Sequence, residues 1–279
     1  MRDAFECGQA AGRIRADIHA RYLCLGLLNV LNWAALWFHA ASDPPPERLG
    51  SLMARLFLEG ALAEPSAEVS AEPASAMPLP RRRRPRKTTL DRLIDAAIAL
   101  FSVQGYSATS TREVAALLGI QKASLYYHIE SKEDLLFAIC RSSLEQIRSD
   151  AEAALGAATG PVERIQALFL AHTGSMLGGG GRHQITFSEM HALRHDRLKQ
   201  IVAMRAAYED LVCGLFQEGQ REGAVRADIE ARYIALAALG LLNRIPVWYK
   251  RGGALTPRRL GQIFAALFLN GARSRPVGT

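Results

Sequence analysis

The pattern of apolar positions is clearest between Leu93 and Leu136, where it predicts three short helices followed by the start of a fourth. Apolar residues recur there at the spacing that places side chains on one face of a helix. Gly105 and Gly119 interrupt this pattern, and glycine accepts the positive φ that a tight turn between helices requires. Two helices joined by such a turn form a helix-turn-helix. The inward positions that we predict are Leu93, Ala97, Leu100, Phe101, Val114, Leu117, Leu118 and Leu125.

The segment that follows Gly119 has an apolar back and a polar front. Leu125 and Ile129 are one helical turn apart, and we expect both of them, together with Tyr127, to face inward. A helix divided in this way is suited to the major groove of DNA. Ser131 then predicts the N-cap of the next helix, which Asp134 completes as a capping box. The donors on the outer side are Lys122, Ser124, Tyr126 and His128.

The run ALFSVQGYSATSTREVAALLGIQKASLYYHIESKEDLL resembles the DNA-binding domain of the TetR family of bacterial transcription regulators. The resemblance extends without a gap over about 45 residues, and LYYHIESKEDLL is its most specific part. It implies that Tyr127 fills a buried aromatic position and that Lys132 meets a phosphate. Gln121 departs from the family pattern, in which a small N-cap residue is commoner. The other residues that the resemblance places on DNA are Thr111, Arg112, Lys122, Ser124, Tyr126 and His128.

The two ends of the chain are copies of each other. Residues 5–62 resemble residues 216–273 at a constant offset of 211, and about 26 of the 58 positions are identical. In each copy the pattern predicts the end of one helix, a turn that contains glycine, and two further helices. The first of these helices is predicted to begin at Asp17 or Asp228 as N-cap and to end near Trp37 or Lys250. The second is predicted to begin near Pro46 or Pro257.

The resemblance implies a role for this duplication, because the last two helices of a TetR-type subunit pair with those of its partner in a four-helix bundle. We therefore interpret residues 1–62 as a duplicated C-terminal segment in front of a complete regulator. One hypothesis is that residues 17–62 pack on residues 228–272 of the same chain as a pseudo-dimer. The alternatives are that the N-terminal copy pairs with a second chain in a homodimer, or that it is an incompletely folded remnant.

Charge is concentrated between the N-terminal copy and the helix-turn-helix. The net charge is +7, and the run RRRRPRK at residues 81–87 supplies six of these positive charges. Residues 63–80 are rich in Ala, Pro, Ser and Glu, which predicts a disordered tether. We interpret residues 63–87 as a linker and an arginine-rich arm on DNA, because arginine is attracted into a narrow minor groove. The candidate contacts in this arm are Arg83, Arg84, Arg86 and Lys87.

Residues 88–134 are thus the predicted DNA-binding domain, and residues 135–273 the predicted helical effector-binding and dimerisation domain. A largely apolar pocket is the general expectation for a small ligand. Two segments, FSEMHALRHDRLKQIVAMRAAYEDLV and the LLN…WYKRGG…LTPRRLGQIFAALFLNG ending, resemble regulators of fatty-acid and sterol breakdown. This resemblance implies an acyl-coenzyme A effector and no resident cofactor. The candidate ligand-binding residues are His172, Met176, Phe187, Met190, Met204, Tyr208, Asn243 and Trp248.

Other classes of function find little support. The four cysteines are far apart in sequence, so we expect free thiols in a reducing cytoplasm. The apolar stretch 23–38 is shorter than the roughly 20 residues that a membrane span needs. No nucleophile–base pair stands out, so we expect no enzyme. Metal ligands would have to come from His172, His183, Glu189, His191 and His195, of which only His191 and His195 have a spacing of four, so we expect no metal.

The sequence therefore predicts an all-α protein with a helix-turn-helix DNA-binding domain and a helical ligand-binding and dimerisation domain of the TetR type. Its predicted function is that of a repressor, which a small apolar or acyl-CoA effector releases from an operator in double-stranded DNA. Base edges are assigned to Arg112, Lys122 and Ser124, and phosphates to Tyr126, His128 and Lys132. The alternative is a helical acyl-thioester-binding or interaction protein in which DNA binding is weak or lost.

Overall fold

The computed structural model of the protein describes residues 1–39, 43–60, 88–250 and 252–271, and within these ranges it contains helices and no strands. The predicted all-α class is confirmed. The predicted tether and the candidate contacts Arg83, Arg84, Arg86 and Lys87 lie outside the described residues. In chain order the helices are α1 (Arg2–Ala10), α2 (Ala20–Trp37), α3 (Pro46–Glu59), α4 (Thr89–Ala108), α5 (Thr111–Leu117), α6 (Lys122–Tyr126), α7 (Lys132–Ala157), α8 (Pro161–Gly178), α9 (Arg182–Glu189), α10 (His195–Arg221), α11 (Ala231–Asn243), α12 (Ile245–Trp248) and α13 (Pro257–Asn270).

The helices form two compact units that do not follow chain order. The first unit comprises the described residues of 1–77, 153–174 and 209–279, and it therefore contains both copies of the repeat. The second unit comprises the described residues of 78–152 and 175–208, which include the predicted helix-turn-helix. Helices α7, α8 and α10 each contribute residues to both units.

The second unit is organised around α4, which begins at a capping box. The Thr88 side chain accepts from the backbone N–H of Asp91, and the Asp91 carboxylate accepts from the backbone N–H of Thr88 at 2.8 Å. The apolar face of α4 then packs against α5 and α9. Its core includes Leu93, Phe101, Val114, Leu125 and Leu135, each of them buried. Burial of these side chains away from water holds the short helices α5 and α6 in place, since helices of that length are marginal alone.

In the first unit, α2 and α3 of the N-terminal copy pack with α11 and α13 of the C-terminal copy as four helices. Helix α11 is buried almost all round, as a helix in the centre of a bundle must be. Helices α3 and α13 begin at Pro46 and Pro257, as predicted, because proline at the first turn loses no helical hydrogen bond.

The two copies have the same local structure at matching positions. The Gln9 side-chain amide donates to Arg15 O and Ile18 O, both at 2.8 Å, and closes the turn after α1. Gln220 makes the corresponding bonds to Arg226 O and Ile229 O at 2.8 and 2.7 Å, after α10. The phenylalanine pairs also correspond: Phe5–Phe57 and Phe216–Phe268 have ring centroids 5.9 and 5.8 Å apart. The repeated sequence thus folds into a repeated structure.

Contacts between the copies are reciprocal. The Arg15 guanidinium donates to Gly271 O at 3.3 Å, and the equivalent Arg226 donates to Gly60 O at 3.2 Å. The two glycines end α3 and α13 with φ of +85° and +76°. A Cβ on either would lie within 2.4 Å of a carbonyl oxygen of the other copy, so no larger residue fits. Exchange of equivalent contacts in this way is the mark of an isologous interface.

Two predictions about the helix boundaries are wrong. Asp17 and Asp228 do not cap α2 and α11, because each carboxylate is held by the arginine two residues before it. The N-cap of α2 is His19, whose Nδ1 accepts from the backbone N–H of Arg21 at 3.1 Å. Helix α11 ends at Asn243 rather than near Lys250. Pro246 lacks an N–H and clashes with a preceding helical turn, so only the four-residue α12 follows.

Candidate nucleic-acid interface

The turns around α5 have the geometry that the sequence predicts. Gly105 leaves the helical conformation with φ +82°, and Gly119 has φ +67° between α5 and α6. Ser110 begins α5 with a capping box, in which the Glu113 carboxylate accepts from the backbone N–H of Ser110 at 2.7 Å. The hydrogen bond from the Ser110 side chain is the main reason that the pKa of Glu113 is lowered. These caps define where a short helix begins and therefore which of its residues face outward.

Helix α6 presents a polar face to solvent. Leu125 and Ile129 are buried in the core of the second unit, as predicted. The side chains on the opposite face are exposed, which leaves their hydrogen-bonding groups available to a ligand in solution. The exposed candidates are Arg112, Lys122, Ser124, Tyr126 and His128, and Thr111 is partly exposed.

The prediction that Tyr127 is a core residue is wrong, because 90% of its surface is exposed. In a helix of 3.6 residues per turn, position 127 points almost opposite to positions 125 and 129. With Leu125 and Ile129 buried, Tyr127 must face outward. Leu117 is a second exception, since it is 55% exposed while Val114 and Ala115 form the buried side of α5.

Three of the candidate side chains form one surface cluster across α5 and α6. The Tyr126 hydroxyl and Thr111 Oγ1 are hydrogen-bonded at 3.2 Å, and Lys122 Nζ lies 5.5 Å from the centre of the Tyr126 ring. The hydroxyl bond joins the first turn of α5 to the last turn of α6. Tyr126 is nevertheless 43% exposed, so its ring edge remains accessible.

Lys132 is engaged within the protein. Its Nζ donates to Tyr106 O at 2.8 Å, Ser107 O at 3.2 Å and Thr109 O at 2.8 Å. The ammonium also lies 4.3 Å from the centre of the Tyr106 ring. Since an ammonium has three N–H groups, all of its donors are used. Its contact with a phosphate stays a prediction, and it requires that one of these carbonyl oxygens be exchanged for a phosphate oxygen.

The start of α7 is held on its other side by α10. Ser131 and Asp134 form the predicted box: the backbone N–H of Ser131 donates to the Asp134 carboxylate at 2.7 Å, and Asp134 N donates to Ser131 Oγ at 3.3 Å. Arg197 pairs with the same carboxylate, and Arg194 pairs with Glu133 at 2.7 Å. Burial alone would raise the pKa of Asp134. The hydrogen bonds from Arg197 and from the backbone N–H groups of Ser131 and Glu130 outweigh this effect, so the pKa is lowered. Helix α7 therefore begins between α4 and α10 with both neighbours bonded to it.

The candidate ligand-binding residues are divided between the units. In the first unit, His172 Nε2 and Asn243 Oδ1 are 3.0 Å apart, and the Trp248 indole N–H donates to Asn29 Oδ1 at 3.3 Å. In the second unit, Arg205 lies over the Phe187 ring and donates to Met190 Sδ at 3.5 Å. Their ligand contacts stay a prediction. The other candidates in the second unit, all buried or partly buried, are Met176, Met204 and Tyr208.

His183, which the sequence offers only as a possible metal ligand, belongs to a buried polar group of the second unit. His183 Nδ1 is 2.6 Å from Ser143 Oγ, and its Nε2 is 3.4 Å from Ser175 Oγ. Burial lowers the pKa of His183 to about 4, so the ring is neutral at pH 7. The three residues are too far apart in sequence to form a recognisable motif. Among the described residues, no three His, Cys, Asp or Glu side chains come together as a metal site would require.

Two family models match the chain. Residues 93–139 match "Bacterial regulatory proteins, tetR family", and residues 158–272 match "Tetracyclin repressor-like, C-terminal domain". Together they cover more than half of the chain, including α5, α6 and the C-terminal copy of the repeat. No helix in the described part of the chain is long and apolar enough to cross a membrane.

Curated relatives and solved structures agree with these matches. The HTH-type transcriptional repressor KstR2 of Mycolicibacterium smegmatis is 29% identical over 185 residues, which are 65% of this chain and 89% of that protein. The structure of KstR2 of Mycobacterium tuberculosis has a TM-score of 0.63 at 25% identity and covers 68% of this chain and 98% of that one. AibR in complex with isovaleryl coenzyme A and operator DNA has a TM-score of 0.59 at 26% identity and covers 66% of this chain and 98% of that one.

Proposed function

Because the chain belongs to the TetR family of transcriptional regulators, we propose that it reads an operator with α5 and α6 and leaves it on binding a small effector. The observation that carries this proposal is the division of α6 into a buried apolar side and an exposed face of donors. A short helix held in this way from behind is what the major groove admits.

The exposed side chains of α5, α6 and the following turn form two groups, according to the part of the DNA that each is proposed to contact. Arg112, Lys122 and Ser124 are proposed to contact base edges, because their donors are free of the core. Tyr126 and His128 are proposed to contact phosphates and to set the register of the helix on DNA. We include Tyr127 in the interface because its side chain is exposed. Lys132 would contact a phosphate only after exchanging one of its carbonyl partners for a phosphate oxygen.

The proposed effector is an apolar or acyl-CoA-type molecule bound by the helical half, with no resident cofactor and no catalytic step. Support comes from AibR, a structural relative that has been solved in complex with isovaleryl coenzyme A and operator DNA. The effector must bind two conformers of the protein with different affinity, since equal affinity would shift nothing. The start of α7 lies between α4 and α10, so a displacement of α10 would move it, and α6 precedes it directly in the chain.

The proposed quaternary arrangement is an intrachain pseudo-dimer in the cytoplasm. Reciprocal hydrogen bonds from Arg15 to Gly271 O and from Arg226 to Gly60 O support it. The aromatic pairs and turn bonds that both copies share support it further. In this arrangement the N-terminal copy takes the place of the partner subunit's helices.

Selection of bound duplexes from a random DNA pool tests the proposal. We expect a defined motif, and we expect Ser124→Ala to change the preferred sequence at one or two positions. Addition of isovaleryl or longer acyl-CoA thioesters should weaken binding to the selected duplex, whereas free coenzyme A is the matched control. Recovery of no motif at low ionic strength, where the electrostatic contribution is largest, would contradict DNA recognition.

A further inference from the structure

Helices α2 and α11 meet through residues of very different size. Trp33 of the N-terminal copy lies on Gly240 of the C-terminal copy, and it is only 6% exposed. A Cβ built on Gly240 would be 2.9 Å from Trp33 Cβ and 3.0 and 3.1 Å from two ring carbons. Contacts that short would force the indole to move, so the fit requires the absence of a side chain at position 240.

The repeat makes this contact informative, because each of the two residues has an equivalent in the other copy. At the offset of 211, Gly240 corresponds to Asn29 and Trp33 corresponds to Arg244. Two N-terminal copies paired in the same way would drive Trp33 into Asn29, where even a Cβ is not tolerated. Two C-terminal copies would leave the volume of the indole unfilled and place Arg244 there instead. Only the mixed pair fills the interface without a clash or a buried charge.

Hydrogen bonding disfavours the pairing of two C-terminal copies. Asn29 is 4% exposed, and its Nδ2 donates to Leu241 O at 2.8 Å in the opposite copy. Its Oδ1 accepts from the indole N–H of Trp248, also in the opposite copy. A buried amide without hydrogen-bond partners destabilises the folded state, so these two bonds stabilise the pairing. The equivalent position in the C-terminal copy is Gly240, which has no side chain to offer in return.

Two ion pairs between the copies use residues of the N-terminal copy that are alanine in the C-terminal copy. Arg55 of the N-terminal copy pairs with Asp228 of the C-terminal copy, and the residue equivalent to Arg55 is Ala266. Arg232 of the C-terminal copy pairs with Asp43 at 2.8 Å, and the residue equivalent to Asp43 is Ala254. Two C-terminal copies would form neither pair, whereas two N-terminal copies keep Asp17 and Arg21 at the equivalent positions and could form both. These pairs therefore disfavour the pairing of two C-terminal copies, and the contact of Trp33 with Gly240 disfavours the pairing of two N-terminal copies.

We infer that this complementarity keeps the pairing face of the C-terminal copy occupied by the chain's own N-terminal copy, so that the DNA ligand is a single asymmetric half-site. The inference rests on the proposed DNA-binding function. Helix-turn-helix dimers bind inverted repeats because their two-fold symmetry presents two recognition helices. This chain has one α5–α6 motif for each filled bundle. A second recognition helix would need a second pairing face, and the bundle leaves none of this type open.

The test compares two duplexes of equal length, one with the selected half-site once and the other with it twice as an inverted repeat. We expect the inverted repeat to bind only about twofold more tightly, as two independent sites do, whereas a two-headed particle would gain a factor of about 10²–10⁴. Light scattering of the free protein at micromolar concentration should give the mass of one chain, 30.5 kDa. A gain of a hundredfold or more, or a particle of twice that mass, would overturn the inference.

A scrambled duplex separates the failure of this inference from the failure of the proposed function. If the scrambled and the selected duplexes bind equally, DNA recognition itself is wrong. If only the selected sequence binds well but an inverted repeat is strongly preferred, DNA recognition stands and the occupied pairing face is wrong. A homodimer that exchanges its N-terminal copies belongs to the second case, because it carries two recognition helices.

Discussion

Two lysines near α6 differ in what their ammonium groups contact, and this difference predicts opposite phenotypes. Lys132→Met removes three charged hydrogen bonds to main-chain carbonyls, so we expect the free energy of unfolding to fall by about 1–3 kcal/mol. Lys122→Met removes an exposed cation, so we expect its free energy of unfolding to stay within about 0.5 kcal/mol of that of the parent. It should instead weaken binding to the operator by about 1–3 kcal/mol and relax the sequence preference at the base pair that it contacts.

Urea denaturation measures the first effect, and binding to the operator and to single-base variants of it, repeated at several salt concentrations, measures the second on the same samples. An unchanged unfolding free energy for Lys132→Met would contradict the structural role assigned to its ammonium. Its salt slope is informative in addition. A reduction of about one unit would mean that Lys132 exchanges a carbonyl for a phosphate in the complex.

Tyr127 gives a second prediction at the residue scale. Because the side chain is 90% exposed, Tyr127→Ala should leave the free energy of unfolding within about 0.5 kcal/mol of the parent. Its place on the outer face of α6 predicts operator binding weaker by about tenfold, or roughly 1.4 kcal/mol. Val103→Ala is the matched control, since Val103 is 87% exposed on α4 and should change neither quantity. Normal binding by Tyr127→Ala would remove this residue from the interface.

These residues also show what a sequence can predict at this scale. Leu125 and Ile129 were correctly placed inward because helical spacing decides which side chains share a face. The same spacing puts Tyr127 outside, although both the apolar pattern and the family resemblance were interpreted as placing it inward. The carbonyls that surround Lys132 belong to residues 23–26 positions earlier in the chain, and no local pattern reveals them.

At the scale of elements, the contact between α2 and α11 predicts coupled stabilities. Trp33→Ala should cost about 3–5 kcal/mol, the usual range for a buried tryptophan. Gly240→Ala should cost about 1–3 kcal/mol, because its Cβ has no room beneath the indole. In the double variant the clash disappears. Its loss of stability should therefore be smaller, by about 1 kcal/mol or more, than the sum of the two single losses.

Gly214→Ala is the control for this cycle, since Gly214 lies within α10 and a Cβ there would meet nothing within 4 Å. It should stabilise the protein by about 0.5–1 kcal/mol, as alanine does in an open helix. Chemical denaturation of the four variants gives the coupling energy. Strict additivity of Trp33→Ala and Gly240→Ala would show that the two helices do not meet in solution as described.

Stability should fall in acid through the carboxylates beside the bundle. Hydrogen bonds from Arg226, followed by the attraction of Arg226 and Arg55, lower the pKa of Asp228, and Arg15 lowers that of Asp17. A carboxyl whose pKa is lower in the folded state stabilises it above the unfolded pKa of about 3.9, and this contribution is lost as the pH falls through the folded value.

Unfolding in urea at pH 7, 5, 4 and 3 measures this loss, which we expect to begin below about pH 5. Asp228→Asn should be less stable than the parent at pH 7 and should lose less stability on acidification. A salt concentration near 1 M should reduce the difference, since it shortens the Debye length to about 3 Å. Equal acid sensitivity of the parent and Asp228→Asn would contradict the role of this pair.

The elements were predicted well where local signals agree, and badly where a distant partner decides. Pro46 and Pro257 marked the starts of α3 and α13 correctly, because the first turn of a helix needs no N–H from proline. Asp17 and Asp228 are residue types that often cap helices, but each carboxylate is instead paired with an arginine, Arg15 or Arg226. The break of α11 before Pro246 was visible in the sequence and was overlooked in favour of the unbroken pattern of the other copy.

At the scale of the whole molecule, the duplication was predictable because it is written in the sequence at a constant offset. The partner of each copy was not predictable, since the same pattern allows pairing within a chain or between chains. The contacts that distinguish these two pairings join residues of unequal size, such as Trp33 and Gly240, which are 207 residues apart in the chain. The second unit likewise combines residues from both sides of α8, which chain order does not reveal.

The proposed function depends on α6 entering the major groove of duplex DNA with its polar face. The most direct measurement is the affinity of the purified protein for its selected half-site relative to a scrambled duplex, taken by fluorescence anisotropy at a fixed salt concentration near 0.15 M. We predict that the selected half-site binds at least about 10³-fold more tightly. Equal affinity for the two duplexes, or no binding to either even at low ionic strength, would contradict the account.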